Sequence, residues 1–151
     1  MIYRMKLQNE PFNQIKLGIK KIEIRLNDEK RKMFKINDYI EFTNISTLEI
    51  MFVKITNLYH FKNFEDLFNN FDNSTLGCGS YEEMYKYYSR EEENKYGILG
   101  IEIKVLPKVN QVIHNEDNLA LNDANRVTRR AKLIVENSND EILICHMGVK
   151  Y

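Results

Sequence analysis

The sequence contains no tryptophan, and its 151 residues include only two prolines and two cysteines. The cysteines, Cys78 and Cys145, are far apart and form no CxxC pair, so we expect a reduced, cytoplasmic protein. None of the three histidines is spaced as a ligand pair, and we therefore expect neither a metal ion nor another cofactor. The sequence also lacks an apolar run of roughly 18 residues and a basic-then-apolar leader, which predicts no membrane insertion and no export.

The net charge is zero, but the charges are unevenly distributed along the chain. Residues 1–45 contain ten Lys/Arg and six Asp/Glu, a net of +4, whereas residues 63–102 contain three and nine, a net of −6. A positive N-terminal third can attract phosphate groups. Alternatively, the two oppositely charged parts face each other and cancel, and the sequence leaves both interpretations open.

Hydrophobic periodicity predicts a small mixed domain over residues 1–106. The predicted elements are a strand at 2–7, a helix ending at Gly18, strands at 22–26 and from Tyr39, a long bent strand over 47–61, helices within 63–96 and a strand at 101–105. This order favours an α+β, mainly β fold, in which a small curled sheet or β-barrel carries short helices at its rim. It does not favour a doubly wound parallel sheet.

The last predicted helix, over residues 80–96, is the richest in aromatic residues. Ser80 and Glu83 have the spacing of a capping box at its start. Tyr81, Tyr85 and Tyr88 would share one face of this helix, and we expect them to pack in the core rather than to stack on bases.

The composition changes after Pro107. Residues 107–127 are rich in Asn and Asp and poorly periodic, which predicts a linker. Residues 128–151 are predicted to form a β-hairpin around a turn at Asn137–Asp140. Because a lone hairpin is marginally stable in water, this hairpin either packs on the first domain or begins a unit that this chain does not finish.

The predicted strand at 22–26 carries an unusual pattern of charges. With a period of two, Lys21, Glu23 and Arg25 share one face, and the apolar residues 22, 24 and 26 share the other. The plain interpretation is a solvated face with a weak ladder of charges, worth under about 1 kcal/mol. The alternative is a strand that carries a binding site.

Three segments together resemble the ASCH domain, a PUA-like β-barrel related to RNA-binding modules. They are residues 5–44, 61–68 and 84–104, with a core of Gly18-x-Lys20-x-x-Glu23-x-Arg25 and a closing YGxxGI strand. The turn that reads Gly-Asp in the family reads Asn37-Asp38 here, and Asn tolerates the same left-handed backbone. The resemblance implies a cleft that binds RNA or a nucleotide-like ligand and is lined by Lys20, Lys21, Glu23 and Arg25.

Some relatives resemble an amidohydrolase that removes the acetyl group from N-acetylated cytidine with a Lys, a Thr and a Glu. The Lys corresponds to Lys20, whereas the Thr position holds Glu23, which has no hydroxyl nucleophile. The Glu falls near Glu82 and Glu83. An amidohydrolase with Lys20, Glu23 and Glu83 as its catalytic residues is therefore the alternative function.

The segment 129–151 resembles the opening hairpin of a Nudix hydrolase domain. The Glu-rich element with which that family binds Mg²⁺ does not occur in this sequence. A further alternative is that residues 1–106 are an accessory domain of an ASCH–Nudix fusion without activity of its own. The sequence predicts no particular oligomeric state.

Overall fold

The structure, a computed structural model, describes residues 1–107, 134–136 and 142–144. Five strands lie in the first range: β1 (Ile2–Leu7), β2 (Ile22–Leu26), β3 (Tyr39–Asn44), β4 (Ile50–Phe61) and β5 (Ile98–Val105). The same range contains the helices α1 (Asn9–Lys16), α2 (Phe64–Asn70), α3 (Asn73–Leu76) and α4 (Arg90–Tyr96), and the 3₁₀ helices Arg31–Met33 and Tyr81–Lys86.

Two short strands near the C-terminus, β6 (Ile134–Glu136) and β7 (Ile142–Ile144), pair antiparallel with each other. The rest of the predicted hairpin at 128–151 lies outside the described residues, as does the predicted linker at 107–127 apart from its first residue. Most of the segment that resembles a Nudix domain falls outside them as well.

The five strands of the first range form one sheet in the order β1-β3-β4-β5-β2. Strand β1 runs parallel to β3, and the other neighbouring pairs are antiparallel. The two edge strands, β1 and β2, approach each other. This is shown by Nη2 of Arg25 in β2, which donates a hydrogen bond to the backbone oxygen of Lys6 in β1 at 3.0 Å. The sheet is therefore curled into a half-barrel, which confirms the predicted α+β domain with a curled sheet and short helices.

The two faces of the sheet are covered by different apolar clusters. The barrel-side cluster comprises Tyr3, Met5, Leu7, Phe12, Ile15, Phe34, Ile40, Phe42, Met51, Val53, Ile55, Leu99, Ile101 and Ile103. The helix-side cluster comprises Ile22, Ile24, Leu26, Phe64, Leu67, Leu76, Met84 and Ile98. Adjacent residues of one strand, such as Ile98 and Leu99 in β5, belong to different clusters because successive side chains point to opposite faces.

Strand β2 is covered on both faces. Its three apolar residues lie in the helix-side cluster. On the other face, Glu23 and Arg25 lie directly opposite Ile101 and Leu99 of β5, which belong to the barrel-side cluster. Glu23 is consequently buried, with 6% of its surface exposed, so the interpretation of this face as a solvated ladder is wrong.

Backbone features agree with several predictions from sequence. Strand β4 has a register shift between Ile55 and Asn57, which confirms a bent rather than a flat strand. Asn37 has a φ of 77°, as the turn before β3 requires, and Gly18 ends the first helical segment with a φ of 79°.

The prediction of one capped helix over residues 80–96 is wrong. The chain forms a 3₁₀ helix over Tyr81–Lys86, turns, and then begins α4, and no side-chain hydrogen bond from Ser80 caps the first of these. The capping box is instead made by Ser89 and Glu92, which satisfy the first backbone N–H groups of α4. The three tyrosines 81, 85 and 88 nevertheless pack against the helix-side cluster, as predicted.

Candidate ligand-binding site

Glu23 lies between two cations. Its Oε1 is 3.5 Å from Nζ of Lys20, and its Oε2 accepts a hydrogen bond of 2.8 Å from Nε of Arg25. Burial has the largest single effect on the pKa of Glu23 and raises it, but the charges and hydrogen bonds of Arg25 and Lys20 together outweigh burial and lower the pKa below its usual value. Glu23 is therefore ionised at neutral pH although it is buried.

Lys20 is held on the opposite side by backbone. Its Nζ donates to the backbone oxygen of Leu76, the last residue of α3, at 2.6 Å, and only 6% of Lys20 is exposed. The chain then turns at Gly77, whose φ is 68°. A Cβ at Gly77 would lie 2.7 Å from Cδ of Lys20, so the absent side chain allows this turn to close over the lysine.

Arg25 completes the triad and is its most accessible member. Nε binds Glu23, Nη2 binds the backbone oxygen of Lys6, and 19% of the side chain is exposed. Burial lowers the pKa of Arg25, but the negative charge of Glu23 reverses this and the pKa is raised. The guanidinium is thus permanently charged and held at two points, with part of its surface open to a ligand.

Tyr88 provides an aromatic group beside Arg25. Its ring stacks on Phe64 with centroids 5.8 Å apart and an interplanar angle of 26°. The pKa of Tyr88 is raised mainly by burial; Arg25 and Arg31 lower it, whereas Glu23 and Asp28 raise it. All four charged groups therefore act on the Tyr88 phenol.

The segment after β2 contributes the other charged pair near Tyr88. Nη1 of Arg31 lies 2.8 Å from Oδ2 of Asp28, and Oδ1 of Asp28 accepts from the backbone N–H of Arg31 at 3.0 Å. Nε of Arg31 is buried without a hydrogen-bond partner. Asp28 and Arg31 were not predicted as site residues, although an Asp-x-x-Arg spacing directly after the motif strand is visible in the sequence.

Two residues selected from the sequence lie outside the triad. The side chain of Lys21 is exposed, and its backbone N–H donates to the backbone oxygen of Thr75 at 2.8 Å. Glu83 is also exposed, and its Oε2 accepts from Sγ of Cys78 at 3.0 Å. This hydrogen bond is the main cause of the lowered pKa of Glu83, whereas burial raises the pKa of the thiol.

The site therefore joins a fixed guanidinium, a second arginine and a tyrosine ring. Such groups suit a planar or anionic ligand, because guanidinium donors match phosphate and base acceptors and aromatic rings stack on bases. Within the described ranges, no three His, Cys, Asp or Glu side chains are grouped so that they could hold a metal ion. Among the described residues, no helix has the length and apolar composition needed to cross a membrane.

The sequence and fold of this chain resemble those of known proteins. The family model described as "ASCH domain" matches residues 5–107. The crystal structure of hypothetical protein PH0355 is 34% identical, with a TM-score of 0.62, and the match covers 70% of this chain and 100% of that chain. The NMR structure of protein PF0455 from Pyrococcus furiosus is 33% identical, with a TM-score of 0.56, and the match covers 72% of this chain and 100% of that chain.

The ASCH domain from Lactobacillus crispatus JV V101 is 18% identical over 69% of this chain and 79% of that chain, with a TM-score of 0.48. No curated protein matches the sequence significantly.

Proposed function

Because this chain belongs to the ASCH-domain family, we propose that it binds RNA or a nucleotide-like ligand in a cleft beside the G-x-K-x-x-E-x-R motif. The triad of buried Lys20 and Glu23 with the partly exposed Arg25 carries the proposal. Removing charges from water costs several kcal/mol per ion, and apolar residues of similar size frequently stabilise a fold at least as well. Stability alone is therefore a weak reason for this triad, whereas a fixed, partly exposed guanidinium is what a binding site requires.

The proposal divides the motif into two roles. Lys20 and Glu23 are positioning residues, because each is buried and already bonded within the protein. Arg25 is the residue that contacts the ligand, through the part of its guanidinium that remains exposed. Glu23 thus holds the cations in place and does not itself accept hydrogen bonds from a base.

Tyr88 is proposed to form the wall against which a base or ribose rests. Its ring is supported by Phe64, and its hydroxyl forms no hydrogen bond within the described residues. Burial raises the pKa of Tyr88 and keeps this hydroxyl protonated, so it can donate a hydrogen bond to a ligand acceptor. Removing it should weaken binding roughly fivefold, the value of one ordinary hydrogen bond.

The test is a titration of the full chain with short single-stranded RNA and, separately, with free nucleosides and nucleotides at two salt concentrations. Tyr88→Phe should bind several-fold more weakly than wild type. Tyr87→Phe is the matched control, because the neighbouring Tyr87 is 69% exposed and lies outside both core clusters. If no RNA, nucleoside or nucleotide binds the wild-type protein at either salt concentration, the proposal is wrong.

The alternative, an amidohydrolase acting on N-acetylated cytidine, is favoured by one observation. The turn at Gly77 closes over Lys20, and Sγ of the next residue, Cys78, donates a hydrogen bond to Oε2 of Glu83 at 3.0 Å, so a short chain of contacts connects Lys20 to Glu83. Incubation with N-acetylated cytidine tests this function directly. Release of acetate by the wild type, and its loss in Glu83→Gln, would establish hydrolysis, and an absence of release would exclude it for this substrate.

A further inference from the structure

The segment between α1 and β2 and the end of β5 border a shallow depression of about 370 Å³ that is rich in lysine. Its lining includes Lys16, Lys20, Lys21 and Lys104, with Leu17 among the apolar residues. We propose that the exposed lysines of this depression, Lys16, Lys21 and Lys104, form a lysine surface that binds the phosphate backbone of single-stranded RNA. The inference rests on the proposed function and makes an RNA strand, rather than a free nucleoside, its partner.

The charges of this surface are largely available to a partner. Lys21 and Lys104 are exposed and form no ion pair within the described residues. Nζ of Lys16 lies 2.6 Å from Oε2 of Glu49, but 44% of the Lys16 side chain and 32% of the Glu49 side chain are exposed. Such exposed ion pairs exchange readily with other partners in water. Lys20 adds its positive field but no contact, because its ammonium is bonded inside the protein.

A second observation concerns the strands next to this surface. Lys104 of β5 lies directly opposite Lys54 of β4, so two like charges share one face of an antiparallel pair. This arrangement destabilises a sheet, and neither lysine forms an ion pair with an acidic side chain in the part of the chain that the structure describes. A polyanion bound across Lys54 and Lys104 would remove the repulsion between their charges.

The position of the surface favours RNA over an acidic peptide. The same segment that borders the depression at Lys21 continues along the edge strand β2 to Arg25. Four residues of strand span about 13 Å, at about 3.3 Å per residue. A ligand that contacts both residues must be longer than one nucleoside and must carry anionic groups along its length. An oligonucleotide also offers a planar base to the guanidinium of Arg25 and the ring of Tyr88, which an acidic peptide does not.

The test is fluorescence anisotropy of a labelled ten-residue oligouridylate with the full chain at several salt concentrations between about 50 and 200 mM. Each lysine that neutralises a phosphate of a single strand contributes about 0.7 to the slope of log affinity against log salt. Lys21→Gln with Lys104→Gln should therefore reduce the slope by about 1.4. If the two proteins have equal affinity at about 1 M salt, RNA binds the double variant roughly sixtyfold more weakly at 50 mM and roughly tenfold more weakly at 200 mM.

The matched control is Lys62→Gln with Lys86→Gln, which removes two exposed lysines elsewhere on the domain and should leave the slope unchanged. Binding of a free nucleotide at Arg25 should be the same in wild type and in the double variant. Equal slopes for the lysine-surface variant and the control would overturn this inference while leaving nucleotide binding intact. Lysine-dependent binding of polyglutamate, with no binding of RNA, would also overturn it in favour of an acidic peptide.

Discussion

Replacing Glu23 by Gln tests how the triad is held together. The substitution preserves shape but removes the negative charge between two cations that are themselves largely buried. Lys20 keeps its bond to the backbone oxygen of Leu76, and Arg25 keeps its bond to that of Lys6. Removing one partner from a buried ion pair costs about 3–5 kcal/mol, because the remaining charge stays buried without compensation.

A loss of this size is large for a domain whose total free energy of unfolding is about 5–15 kcal/mol. At about 4–8 °C for each kcal/mol, a loss of about 3 kcal/mol lowers Tm by about 12–24 °C. The assay is urea unfolding at pH 7 followed by circular dichroism, with Tm measured in parallel.

Glu29→Gln is the control for the lost charge, because Glu29 pairs with Lys32 at 3.2 Å while 86% of its side chain is exposed. It should leave the urea midpoint unchanged. A Glu23→Gln protein that loses less than about 1 kcal/mol would refute the reasoning, since the triad would then contribute no more than a surface pair.

Three further predictions concern stability. The pKa of Glu23 in the folded protein is lowered from 4.5, so Glu23 adds to the free energy of unfolding above that pH, and this addition is lost as the pH falls through the lowered pKa. Acid titration of wild type, but not of Glu23→Gln, should show this loss of stability. Gly77→Ala should cost about 2 kcal/mol more than Gly18→Ala in urea unfolding, because both positions have positive φ but only the first meets atoms at 2.7 Å; equal losses would contradict this. Ser89→Ala should cost about 1 kcal/mol by the same assay and Ser80→Ala nothing measurable, since only Ser89 makes a capping box; the reverse order would restore the single-helix prediction.

The strands were predictable from sequence because alternation of apolar residues directly reports which faces are buried. The burial of Glu23 was not, because alternation alone assigns a polar face to solvent. That face is covered through non-local contacts: Ile101 lies opposite Glu23, and Arg25 binds the backbone of Lys6 on the far edge strand. Only the family resemblance indicated a site there.

Periodicity correctly placed Arg25 on the same strand face as Glu23, but it could not predict the second partner of Glu23, Lys20. Strand parity placed Lys21 beside Glu23, but β2 begins at Ile22, and the residues before it do not follow the alternation of the strand. The side chain of Lys20, which lies before the strand, brings its Nζ to within 3.5 Å of Oε1 of Glu23. Tyr88 packs against the helix-side cluster as predicted, although it lies between the 3₁₀ helix and α4 and not on one continuous helix. The electrostatic influence of Arg25 on its hydroxyl depends on contacts between distant segments.

The affinity of Arg25→Lys for short single-stranded RNA and nucleotides, at one fixed salt concentration, tests the central claim most directly. Lysine keeps the positive charge but loses the planar donors that Glu23 and Lys6 hold in place. Arg90→Lys is the matched control, since Arg90 is exposed and lies over the ring of Tyr85 at 4.3 Å, outside the triad. With both variants shown to be folded, we expect roughly tenfold weaker binding for Arg25→Lys alone, about 1.4 kcal/mol; equal affinities for wild type and both variants would contradict the account.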